Sequence, residues 1–124
     1  MTEQIIISFD LKKYRVRLYK AFLHELGDPS FIQLLVNPEK KLVAVRALDY
    51  ELSGDQSHKI NKTMMDSKKP VEIYSRSFAE SLLSVINDPE PARYYKIYGT
   101  IIKKERMGVF SLNKIEKQSP SEDI

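Results

Sequence analysis

The sequence has no cysteine, only two histidines and only four glycines. The absence of cysteine excludes disulfide bonds, thiolate metal sites and cysteine nucleophiles. His24 and His58 do not have the paired spacing of a zinc site, and the isolated glycines do not form a phosphate-binding loop. We therefore expect a protein that is not an enzyme, with no catalytic residues, no metal, no cofactor and no small-molecule substrate.

Long apolar runs are also missing. No stretch approaches the roughly 20 apolar residues that cross a bilayer, and the N-terminal Met-Thr-Glu-Gln lacks the basic and apolar regions of a secretory leader. These absences predict a cytoplasmic protein without a membrane partner. The 124 residues, 42% apolar and 30% charged, are typical of one globular domain. We expect that domain to cover residues 1–118, with a disordered acidic tail at 119–124.

Basic residues are unevenly distributed along the chain. The formal net charge is +3, and one segment carries five bases against the single acid Asp10. A smaller basic group precedes and follows Glu72 in the second half of the chain. Clustered bases are the electrostatic mark of a nucleic-acid partner. The candidate nucleic-acid-binding residues are Lys12, Lys13, Arg15, Arg17 and Lys20 in the first group, and Lys68, Lys69 and Arg76 in the second.

Apolar periodicity in the first half predicts a strand at 5–9, a strand at 14–18 and a short helix over 19–26 that ends at Gly27. Within the second strand, Val16 and Leu18 should face inward and Arg15 and Arg17 outward. A hairpin follows, with strands at 31–36 and 42–48 on either side of an Asn-Pro turn.

The second half repeats this order. A strand begins at Val71, and a helix over 78–86 should begin with a capping box formed by Ser77 and Glu80. A second hairpin has strands at 95–103 and 107–112, in which Gly99 indicates a bulge or a close backbone approach. The connector at 53–70 is longer than an ordinary loop, so we expect it to contain a short helix or strand.

The chain therefore contains two copies of a strand, a helix and a hairpin, over about 5–48 and 71–112. Each copy is too small to bury its apolar face alone. The predicted fold class is therefore α+β, with two pseudo-symmetric repeats packed as one barrel-like domain.

The run YRVRLYKAFLHELGDPSFIQLLVNPEKKLVAV resembles the swapped-hairpin DNA-binding half-domain of the AbrB, SpoVT, MazE and MraZ group. Arg15 matches the arginine of the family pattern, and Leu26-Gly27 matches the end of its helix. The second half is similar with about one inserted residue, which is the tandem, MraZ-like arrangement. The resemblance implies a swapped-hairpin barrel and a DNA-binding transcription regulator or antitoxin that forms internal or true dimers.

The residues themselves support the same hypothesis, because Arg15 and Arg17 could reach guanine edges while the lysines contact phosphates. The alternative is a non-enzymatic protein-interaction or structural module that presents a sheet edge to a partner, including a second copy of the chain. A small enzyme ranks third. It would need a deep pocket that joins a histidine to a carboxylate such as Asp10, Asp49 or Glu51.

Overall fold

A single antiparallel sheet of nine strands dominates the computed structural model, which describes residues 4–54 and 57–118. The strands are β1 (Ile5–Asp10), β2 (Arg15–Leu18), β3 (Phe31–Asn37), β4 (Leu42–Leu48), β5 (His58–Lys59), β6 (Val71–Tyr74), β7 (Tyr94–Ile102), β8 (Met107–Ser111) and β9 (Glu116–Gln118). The helices are α1 (Lys20–Glu25), α2 (Lys62–Asp66) and α3 (Arg76–Ile86), with short 3-10 turns at Lys103–Glu105 and Leu112–Lys114. The fold class is thus mixed α+β, mostly strand.

The sheet curls into a nearly closed barrel. Its strand order is β5-β3-β4-β8-β7-β1-β2-β6, and β9 pairs with the first residues of β7. Helix α3 begins directly after the edge strand β6 and packs against β3, near the other edge. The helix therefore covers the opening between the two ends of the sheet.

The predicted hairpins are confirmed as β3–β4 and β7–β8, and the first helix is confirmed as α1. Gly27 follows α1 with φ +86°, a left-handed conformation that favours glycine, which is why the helix ends there. In the β3–β4 turn, Asn37 Oδ1 accepts a hydrogen bond from the backbone N–H of Lys40 at 3.1 Å. Local turn chemistry of this kind is readable from sequence because its partners are three residues apart.

The predicted capping box at the start of α3 is wrong. The helix begins at Arg76, and the N-cap is Ser75, whose Oγ accepts from the backbone N–H of Phe78 at 3.3 Å. Glu80 instead forms an ion pair with Arg76, with Oε1 2.9 Å from Nε. Because Ser75 and Ser77 are both cap-forming residues, the spacing to Glu80 alone selects the wrong serine.

The connector contains a short strand, β5, and a short helix, α2, where one or the other was predicted. Strand β9 is an element that the sequence analysis did not predict. Strand β9 has the sequence Glu-Lys-Gln, which lacks the alternation of apolar and polar residues that predicts a strand. Only its pairing with β7 identifies it as one. The predicted tail at 119–124 lies outside the described residues.

Apolar residues from the inner sheet face and from α1 and α3 form one continuous core. Phe22 of α1 packs edge-on against Phe110, with ring centroids 5.7 Å apart. Two glycines allow this packing: a Cβ on Gly108 would lie 2.6 Å from the Phe22 ring, and a Cβ on Gly99 would lie 2.2 Å from the carbonyl oxygen of Val109. The close backbone approach predicted at Gly99 is confirmed.

Candidate nucleic-acid interface

Strands β2 and β6 form an antiparallel ribbon with an apolar inner face and a polar outer face. Val16 and Leu18 of β2 are buried in the core, together with their register partners Ile73 and Val71. The strand period of two therefore turns Arg15 and Arg17 outward, as predicted, beside their register partners Tyr74 and Glu72.

Glu72 joins the two arginines. Its Oε2 lies 3.2 Å from Arg15 Nη1 and 3.2 Å from Arg17 Nη2. Both guanidinium groups are thereby aligned along the outer face of the ribbon. The Arg15 and Arg17 side chains are 14% and 19% exposed and that of Glu72 is 34% exposed, so these ion pairs are partly shielded from solvent.

Asp10 is a buried carboxylate at the end of β1 that organises the adjacent turn. Its two oxygens accept from Arg93 Nε and Nη2 at 3.0 Å each, and its Oδ1 also accepts from the backbone N–H groups of Lys12 and Lys13. Arg15 Nη2 lies 3.5 Å from Oδ2. Burial alone would raise the pKa of Asp10, but the hydrogen bond from Arg93, the turn N–H and the charges of Arg93 and Arg15 outweigh it and lower the pKa.

The predicted lysines lie at the two ends of the ribbon. Lys12 and Lys13 are exposed in the turn between β1 and β2. At the other end, Lys20 follows β2 directly, and Lys68 and Lys69 precede β6. None of these five lysines forms a salt bridge with another residue of 4–54 or 57–118.

Arg76 lies just beyond the Tyr74 end of β6, on the same side as Lys12 and Lys13. Its guanidinium carbon lies 5.6 Å from the centroid of the Tyr14 ring. The hydrogen bond to Glu80 raises the pKa of Arg76. The structure therefore places all eight candidate residues on or beside one ribbon, in two end clusters with the arginine pair between them.

The outer face continues from the ribbon across β1 to β7. Ser8 of β1 has Arg17 as its register partner on one side and Lys96 on the other. Arg93 lies 4.8 Å from the Tyr94 ring centroid, and Lys96 Nζ lies 5.4 Å from that of Tyr98. Arg93 and Lys96 are not among the candidate residues predicted from the sequence, because β7 joins this face only through its register with β1.

The residues considered for an enzyme are not brought together. His24 forms a hydrogen bond with Asp28. The carboxylates of Asp49 and Asp10 accept hydrogen bonds from Arg106 and Arg93, respectively. His58 instead borders a shallow depression near Ser75 and Ser77. Within the described residues, no group of three or more His, Asp or Glu side chains is placed to hold a metal ion.

Comparison with protein-family models, curated proteins and solved structures finds no match to this chain. The resemblance to the swapped-hairpin group therefore stays a prediction. Among the described residues, no helix has both the length and the apolar character needed to span a membrane.

Proposed function

We propose that the chain is a DNA-binding transcription regulator that contacts duplex DNA through the β2–β6 ribbon. The observation that carries this proposal is the placement of Arg15 and Arg17 on the outer face of one antiparallel ribbon, with lysines at both of its ends that form no salt bridge within residues 4–54 and 57–118.

The ribbon is the last pair of strands at one end of the sheet, and the width of two strands suits a major groove. The groove of B-DNA, about 12 Å wide, admits a two-stranded β-ribbon. At about 3.3 Å per residue, the lysines before β2 and those after it are separated by roughly 20 Å. Lysines at that separation reach the phosphates on the two walls of a groove that holds the ribbon.

The proposed roles follow from side-chain chemistry. Arg15 and Arg17 read base edges, for which guanine offers a bidentate acceptor pair. Lys12, Lys13, Lys20, Lys68 and Lys69 contact phosphates and set the register on the duplex, with Arg76 at the edge of the site. Glu72 holds both guanidinium groups in the free protein, and DNA acceptors replace it on binding.

Internal symmetry is a second part of the proposal. The strand order pairs β2 with β6 and β4 with β8, both antiparallel, so that equivalent elements of 5–48 and 71–112 are neighbours. This arrangement supports a tandem repeat in which the chain is a pseudo-dimer of the swapped-hairpin type.

The experiment is a fluorescence-anisotropy titration of a mixed-sequence labelled duplex at several salt concentrations. Replacing Lys12 and Lys13 by glutamine removes two phosphate contacts, and we expect the slope of log Kobs against log[salt] to flatten by about 1.8. The matched control replaces Lys40 and Lys41 by glutamine in the exposed β3–β4 turn, with no expected change beyond the small effect of net charge. Equal slopes for both variants would contradict the proposed interface.

A second candidate function is self-association, favoured by an apolar outer face on the other side of the barrel. Leu35, Ala44, Val109 and Thr100 form one register row across β3, β4, β8 and β7, with Leu35 36% exposed. The next row includes Met107 and Ile102, and the Ile102 side chain is 41% exposed.

A second copy of the chain suits this face, because Arg46 is the single charged residue in its two rows, so that pairing two copies brings no large like-charged areas together. Light scattering should then give a dimer that Leu35→Lys converts to a monomer; a native monomer at high concentration would contradict it.

A further inference from the structure

We propose that the groove between α1 and the outer face of β1 and β7 binds a small carboxylic acid with an apolar body. The groove has a volume of about 490 Å³ and is lined by Ile6, Tyr19, Ala21, Phe22, Glu25 and Lys96, together with Gln4 and Ile5. This site adjoins the ribbon, since Lys20 lies between Tyr19 and Ala21, but its proposed ligand does not depend on DNA binding.

The walls of the groove are mainly apolar. Ile6 points outward from β1, since its neighbours Ile5 and Ile7 are buried in the core. Tyr19 is 37% exposed, and Ala21 is exposed at the start of α1. A concave apolar surface beside a few polar groups is the usual form of a small-molecule site.

The polar groups mark one end of the groove as the anion end. Lys96 and Ser8 are register partners on β7 and β1, and Ser8 Oγ lies 3.5 Å from Tyr19 Oη. Lys96 Nζ contacts the Tyr98 ring and forms no salt bridge within the described chain. The Lys96 ammonium group and the Tyr19 hydroxyl both belong to the groove lining, and both can donate hydrogen bonds to a carboxylate.

Glu25 sets the direction of the ligand. It lies six residues along the chain from Tyr19, about 9 Å at the rise of an α-helix. The carboxylate of the ligand is thus attracted to the Lys96 end and repelled from the Glu25 end. The apolar body then lies between them, against Ile6 and Ala21.

The test compares 4-phenylbutyrate with its neutral analogue 4-phenylbutyramide. Each compound is titrated into the full ¹⁵N-labelled chain, and the backbone amide shifts are followed in ¹H–¹⁵N correlation spectra. We expect shift changes at Ile6, Ala21 and Lys96, and a carboxylate affinity about two- to five-fold higher than the amide affinity, as a partly exposed ion pair gives. Equal affinities for the two compounds, or shift changes confined to other surfaces, would overturn the proposal.

Two variants separate charge from shape. Lys96→Gln should remove the preference for the carboxylate and leave amide binding unchanged, and Ala21→Trp should weaken both compounds by filling the groove. Ala21 is exposed, so this substitution leaves the core intact. Lys40→Gln, in the β3–β4 turn, is the charge-matched control and should retain the native preference. A preference that persists in Lys96→Gln would contradict the assigned anion end.

Discussion

Arg93 donates two hydrogen bonds, from Nε and Nη2, to the two carboxylate oxygens of Asp10, each 3.0 Å long. The two residues are 83 positions apart in sequence, so this pair fixes the start of β7 against the end of β1. The same carboxylate holds the turn that carries Lys12 and Lys13. The shape of one end of the proposed DNA interface therefore depends on a pair that lies beneath it.

Replacing Asp10 by asparagine should destabilise the protein by about 2 kcal/mol near pH 7, because the buried carboxylate loses its charge-assisted hydrogen bonds to Arg93, whose own side chain is 35% exposed. The amide oxygen can still accept from the turn N–H groups. Urea unfolding measures the change, and Asp66→Asn, at an exposed site, is the control with an expected change under about 0.5 kcal/mol. Similar midpoints for the two variants would count against the role of the pair.

The lowered pKa of Asp10 predicts a pH dependence of stability. A carboxyl group with a lower pKa in the folded state stabilises it above the unfolded value, and this contribution disappears as the pH falls through the folded pKa. The native protein should therefore lose more stability than Asp10→Asn below about pH 4. The two unfolding free energies should converge on acidification; parallel curves would show that Asp10 is not the group responsible.

The helix cap gives a prediction that distinguishes Ser75 from Ser77, two residues later. Ser75→Ala should lower the free energy of unfolding by about 1 kcal/mol, because Phe78 loses the side-chain acceptor for its N–H. Ser77→Ala should change it by only a few tenths of a kcal/mol, since Ser77 lies inside the helix. Thermal unfolding of both variants measures which serine caps the helix. A larger loss of stability in Ser77→Ala would support the capping box predicted from the sequence.

Much of the architecture is predictable because its determinants are local. Gly27 ends α1, the Asn-Pro turn joins β3 to β4, and the alternation from Arg15 to Leu18 orients β2, each within a few residues of sequence. Helices α1 and α3 and both hairpins therefore follow from local spacing, whereas the first residue of α3 does not.

The candidate site is predictable in its cations but not in its acids. Glu72 contacts Arg17 across 55 positions, and this contact depends on the register between β2 and β6. The Asp10–Arg93 pair depends in the same way on β1 and β7. Pairing registers between distant strands have no local signature, so sequence patterns show how many charges there are without showing which charges neutralise one another.

Glu72 gives a prediction of increased affinity. Glu72→Gln removes the carboxylate that competes with DNA for Arg15 and Arg17, so we expect about three- to ten-fold tighter duplex binding and a steeper salt dependence, by about one unit of slope. Glu51→Gln, in an exposed loop, is the charge-matched control. Equal gains in both variants would assign the effect to net charge alone, and no gain at Glu72 would contradict its place in the interface.

The most direct test of the central claim is the salt dependence of duplex binding by the native chain and by Arg15→Gln/Arg17→Gln, measured between about 50 and 200 mM salt. The account predicts at least about ten-fold weaker binding by the double variant and a slope flatter by about one to two units. Adding Glu72→Gln to that variant removes the carboxylate that has lost both arginine partners, and binding should still remain below the native level. The same affinity and the same slope for the native chain and the double variant would contradict the account.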